Sequence, residues 1–219
     1  MTTQTAQNSS EVTGRPYSGK TAPQRDFERR ERLLEAGLNL FGSKSFAKTT
    51  VEELCGRAKV STRHFYQTYD NKEGLFADVY DAATTGSSDR TQAALAATRG
   101  KPIVERITPA YLAYVSPMIE DPRIARIIFV SIVGVSPTLE SKRLAFREQL
   151  VSLICNEATQ TSELSADTAL QLRFRALALA GATSTIIYDW VLQPGAQTVA
   201  QLRQALASIT TLLLTTWPR

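Results

Sequence analysis

The polar chemistry of this sequence is concentrated in one short stretch, Ser61-Thr62-Arg63-His64-Phe65-Tyr66-Gln67. Ser61 is a residue type that caps helix N-termini, and a helix started there turns Val60, Phe65 and Tyr69 inward. Thr62, Arg63, His64, Tyr66 and Gln67 then share the outer side. They are donors and acceptors long enough to reach base edges or phosphates when a helix lies in a DNA major groove. A catalytic reading is unsupported. His64 is the sole histidine, and no carboxylate or cysteine stands three or four residues away to orient it. One histidine and two distant cysteines, Cys55 and Cys155, cannot assemble the tetrahedral set that zinc prefers. No glycine-rich phosphate loop or cofactor motif is present. The expected catalytic, metal and cofactor assignments are therefore none.

The flanking segments are built to position this stretch. Residues 49–76 divide into three short helical units. Thr50 and Glu53 form a capping box, after which Val51, Leu54, Cys55 and Ala58 line one apolar stripe. A turn at Lys59-Val60 leads into the Ser61 helix. Asp70 or Asn71 caps the third unit, with Glu73 placed to complete a box from Asp70. Lys72 falls in that unit's first turn, where free backbone amides already favour anions. The helix starts at Thr50 and Lys72 would then clamp a phosphate backbone while the helix between them reads bases. From residue 55 to 72 the cations Arg57, Lys59, Arg63 and Lys72 face a single acid, Asp70. Arg57 reads as a solvated helix-end cation complementing the dipole before it reads as a DNA contact, and Lys48 is read with the same caution.

This segment resembles the DNA-binding domain of the TetR family of bacterial regulators over residues 26–76. Thr49-Thr50, Val60-Ser61, Phe65-Tyr66 and Asn71-Lys72-Glu73 carry the likeness. The resemblance implies that Tyr66 and Lys72 contact phosphates and that Thr50 caps its helix and touches the backbone. It implies sequence readout by Thr62, Arg63, His64 and Gln67, with Ser61 at the start of the same DNA-facing helix. The family usually has glycine before the turn valine. Lys59 stands there instead, which implies either a lysine at positive φ or a different turn.

The remainder reads as helix throughout, giving an all-α chain of about nine helices: a three-helix DNA-binding domain over residues 26–71 and a regulatory domain over 72–219. Residues 1–25 are polar and read as a disordered tail without a secretory signal. Pro109 and Pro117 interrupt a helical pattern over residues 103–120, which implies a kink or two pieces. Residues 176–195 look like the family's eighth helix, with small Ala180 and Gly181 permitting close approach. Leu202, Leu206, Ile209 and Leu213 recur at steps of four, three and four. With Ala180 and Gly181, they are expected to form a four-helix homodimer interface. Tyr80, Tyr111, Tyr114, Phe129, Phe146, Phe174 and Trp190 are core residues or the lining of a ligand cavity.

At 219 residues with 43% hydrophobic side chains, the chain is long enough to bury a sizeable core. Two cysteines so far apart suggest a reducing cytoplasm. The longest apolar stretch, over residues 124–135, carries Arg126 and is shorter than the ~20 residues that span a bilayer. The net charge of +4 is mild. The expected protein is a dimeric repressor on a palindromic double-stranded operator, released by a small-molecule effector whose binding residues are not legible. The alternative is a helical carrier or enzyme with a vestigial helix-turn-helix. Activation, or control by a protein partner, fits the sequence as well as repression does.

Overall fold

The computed structural model describes residues 21–160 and 165–214. Every regular element among them is helical. Helix α1 (Ala22–Ser43) starts on a reciprocal cap, in which the Thr21 amide donates to Gln24 Oε1 at 2.8 Å and the Gln24 amide donates to Thr21 Oγ1 at 3.4 Å. The helix therefore begins inside the expected tail of residues 1–25. A polar Thr-Ala-Pro-Gln run carries the start signal there, with proline tolerated in the first turn. Residues 1–20 of that tail lie outside the described residues.

Helix α2 (Val51–Ala58) packs on α1, α3 (Thr62–Thr68) packs on α2, and α4 (Lys72–Ala97) returns to α1. Leu33, Phe41, Leu54, Phe65, Leu75 and Phe76 form a fully buried centre. Phe76 meets Phe41 and Phe46 edge-on, with ring centroids at 4.9 and 5.3 Å. The start of α4 is thus part of the small domain's core, and a boundary after residue 71 cuts through that core.

Helix α5 (Ile103–Glu120) runs unbroken through Pro109 and Pro117. It packs chiefly against α4 and α9, and the two-piece alternative does not hold. Helix α6 (Pro122–Arg126) opens on the Asp121 cap and passes directly into a π-helical turn, Ile127–Ser131. Helices α7 (Pro137–Thr159), α8 (Ala166–Leu192) and α9 (Val199–Leu214) complete the larger part. Its core includes Tyr111, Met118, Ile119, Ile127, Ile128 and Val151.

The small and larger parts meet where α1 ends on α6. A Cβ at Gly42 would stand 2.6 Å from Arg123 Cβ and 3.0 Å from its Cα, so only glycine allows this approach. Arg123 donates to Asn39 at 2.9 Å and forks onto Asp121. Ser131 Oγ donates to the Phe41 carbonyl at 2.8 Å.

The structure places part of the expected dimer stripe within the chain's own core. Leu202, Leu206 and Ala180 are 4%, 1% and 3% exposed, because α9 lies across α5 and α8 of the same chain. Ile209 and Leu213 are half-buried against that core, and Gly181 is exposed. The apolar residues left on the surface of α8 are Leu170, Phe174, Tyr188 and Leu192, joined by Leu212 of α9. Among the described residues no helix is long and apolar enough to cross a membrane.

Candidate nucleic-acid interface

Helix α3 is fixed from within by Phe65 and Tyr69. Phe65 is fully buried. The Tyr69 hydroxyl donates to Asp78 of α4 at 2.9 Å, and Arg30 of α1 pairs with the same carboxylate at 2.7 Å. Burial, with Asp78 beside it, pushes the Tyr69 phenol up to about 12, so it stays protonated and donating. The opposite side of α3 presents Thr62, Arg63, Tyr66 and Gln67 as exposed side chains, Tyr66 at 55%. Its ring meets Phe65 edge-on at 5.3 Å, which steers the hydroxyl outward. His64 is half-exposed, with Nδ1 2.7 Å from the Ser61 hydroxyl. Ser61 Oγ also accepts from the His64 amide at 3.3 Å, as its N-cap role requires.

The turn into α3 resolves the Lys59 question. Lys59 adopts φ 53°, ψ 46°, and is the sole non-glycine at positive φ among the described residues. Its amide meets the Gly56 carbonyl and that of Val60 meets the Cys55 carbonyl, closing α2 in a left-handed cap. Lysine therefore occupies a conformation that glycine adopts without penalty.

At the start of α2 the Thr50 and Glu53 capping box is complete. The Glu53 carboxyl, which also takes the Lys44 ammonium at 2.5 Å, is held below the usual carboxylate range by that lysine and by the Thr50 amide. Asn71, rather than Asp70, caps α4 by accepting from the Gly74 amide at 3.0 Å. Lys72 does more than sit in a first turn. Its Nζ donates to the carbonyls of Phe46 and Thr49 at 2.8 and 2.7 Å and lies 4.2 Å over the Phe46 ring. Partial burial lowers its pKa. Two of its three donors thus tie α4 to the loop before α2, leaving one for any other partner.

The Tyr69–Asp78–Arg30 anchor was not legible in the sequence, because it joins residues from three helices with no shared periodicity. Of the aromatics singled out in the larger part, Tyr80, Tyr114, Phe129 and Phe146 line one small cavity of about 30 Å³. Tyr111 is core, its hydroxyl 2.7 Å from Thr183 Oγ1. Trp190 is buried with Nε1 donating to the Gln197 carbonyl, and Phe174 stands on the surface. Among the described residues no group of His, Cys, Asp and Glu could hold a metal ion.

A helix held on one side by its core and polar on the other, on a three-helix unit joined to a larger helical body, has the arrangement of a helix-turn-helix. Residues 33–79 match the family model for bacterial regulatory proteins of the tetR family. No curated protein sequence matches the chain. Among solved structures it is similar to a TetR-like transcriptional regulator from Rhodococcus sp. RHA1, at 18% identity and TM-score 0.67, covering 85% of this chain and 96% of that one. It is also similar to the fatty acid degradation regulator FadR from Bacillus halodurans, at 13% identity and TM-score 0.71, covering 91% and 100%. FadR from Bacillus subtilis in complex with stearoyl-CoA gives 14% identity and TM-score 0.67, covering 84% and 97%. At these identities the likeness establishes the fold.

Proposed function

We propose that this protein is a homodimeric repressor that reads a palindromic operator through α3 and leaves it when a small molecule binds the larger domain. The observation that carries this reading is the two-sided construction of α3. Phe65 and Tyr69 are locked into the core, while Arg63, Tyr66 and Gln67 make no side-chain hydrogen bond within the described residues. Such side chains at a helix surface match direct readout by Arg63, Gln67, Thr62 and His64 and phosphate contact by Tyr66. Thr50 and Ser61 serve as caps whose helix starts face the same backbone. Lys72, with one donor left, reaches a phosphate while holding the loop.

Dimerisation supplies the second recognition helix. The exposed row Leu170, Phe174, Tyr188 and Leu192, with Leu212, is the surface that supports a two-fold contact between copies. It replaces the buried Leu202 and Leu206. A similar fold solved with stearoyl-CoA supports control by a small molecule.

The test is selection of bound duplexes from a random pool by the purified chain, beside Tyr66→Ala. Enrichment of a palindrome that the variant fails to hold is the expected result. No enrichment would overturn the operator reading. Linkage sets a second test, since ligand and operator must weaken each other by the same factor.

A further inference from the structure

At the far end of α4 from α3, an open cleft of about 670 Å³ lies between the last turns of α4, the start of α5 and the end of α7. A buried arginine forms part of its wall. Arg106 is 9% exposed, and its Nη2 pairs with the buried Glu157 carboxylate of α7. Its Nε is sealed from solvent without a hydrogen-bond partner. Nη1 makes no hydrogen bond either, so this guanidinium faces the cleft with donors that the protein leaves unused. Helix α4 is 26 residues long, which sets its two ends about 39 Å apart. The cleft therefore stands clear of any duplex held by α3.

Its charge is one-sided. Arg99 and Lys101 are exposed on the loop from α4 to α5, and neither side chain makes an ion pair or hydrogen bond within the described residues. Gly100 at φ 82° turns that loop and the Lys101 amide donates to the Thr98 carbonyl at 3.1 Å, with both cations lining the cleft. Glu157, already paired, is the sole carboxylate among the described lining residues, so three cations face one acid. Helix α5 opens beside them on Pro102, where no side chain caps the first amides. An uncapped helix start favours an anion. Glu105 stands in that first turn and does not line the cleft.

We infer that this cleft binds the phosphate group of a small polar phosphate ester, held by Arg99, Lys101 and the unpaired edge of Arg106. An excess of two positive charges suits a phosphate dianion better than a carboxylate, and a guanidinium edge matches the spacing of phosphate oxygens. The body of the ester is polar because the apolar wall is only Leu95 and Ala96, while Gln92 and Gln160 offer donors and acceptors to hydroxyl groups. The site is separate from the recognition face and from the core of the larger part, and it does not depend on the operator reading.

Calorimetric titration of the full chain with ribose 5-phosphate, inorganic phosphate, acetate and ribose tests it. Ribose 5-phosphate should saturate one site per chain at least about tenfold more tightly than acetate or ribose. Inorganic phosphate should bind more weakly than the ester, since it has no hydroxyls for Gln92 and Gln160; the reverse order overturns the ester. Arg99→Gln and Lys101→Gln alter exposed side chains without partners, so each should weaken ribose 5-phosphate by roughly three- to tenfold at an unchanged melting temperature. Arg106→Lys keeps a cation for Glu157 and removes the planar edge, and it should weaken the ester by about tenfold. Arg63→Ala, on the recognition helix, should leave this binding unchanged. No saturable binding, equal affinity for ribose, or indifference to both Arg99→Gln and Lys101→Gln would overturn the assignment. Loss of binding in Arg63→Ala would move the anion to α3 and overturn it as well.

Discussion

From the sequence Arg63 is expected to read bases and Lys72 to meet phosphate, and the structure adds a second role to Lys72 alone. Arg63 is exposed and uncommitted, so Arg63→Ala should cost about 1–3 kcal/mol of operator affinity and relax preference at one position, read by binding to single-base operator variants. Lys72 holds two loop carbonyls. Lys72→Ala should therefore destabilise the domain by about 1–3 kcal/mol in urea unfolding, as well as weakening all duplexes alike. Lys59→Gly should raise stability by roughly 1 kcal/mol, because it relieves a left-handed lysine, while the salt dependence of DNA binding falls if that ammonium meets a phosphate. The capping residues Thr50 and Ser61 were legible because a cap acts within three residues. The Lys72 staple was not, since its acceptors lie 26 and 23 residues back and leave no local trace.

Elements were legible where their signals are local, and α2, α3 and α4 start where Thr50, Ser61 and Asn71 indicate. Packing overrode two such signals. Helix α5 continues as one element through two prolines, and it packs on α4 and α9. The apolar stripe of α9 gave the correct face but not its cover, since periodicity reports which side of a helix is apolar and not whose surface meets it. At the α1–α6 junction the Arg123 guanidinium holds the Asp121 carboxyl below its ordinary value. A carboxyl lowered on folding adds stability above its unfolded pKa of about 3.9 and loses it as pH falls toward the folded value. Asp121→Asn keeps the cap and removes the charge. It should cost about 1 kcal/mol or less at pH 7, a difference that shrinks in paired urea titrations as pH falls below the unfolded pKa of about 3.9.

At the scale of the whole molecule, the division between core and assembly surfaces is open to direct measurement. Leu206→Ala removes a residue 1% exposed and should cost about 2–5 kcal/mol of stability. Phe174→Glu, at a position 56% exposed, should leave the chain folded and shift it from dimer to monomer in sedimentation, with operator affinity lost in parallel. The opposite pattern would return the interface to α9. The contact at Gly42 has a further consequence for how the two parts share motion. Where helices meet through long side chains, rotamer changes absorb small displacements, as a soft spring would. Here backbone sits on the Arg123 main chain with no methyl between them, so the joint is stiff under compression. A push on α6 meets this backbone contact directly, whereas a pull is resisted by the polar bonds of Arg123 and Ser131 and by the apolar packing of α1 on α6. The joint therefore rectifies: it transmits thrust toward the DNA-binding end far better than it transmits tension away from it.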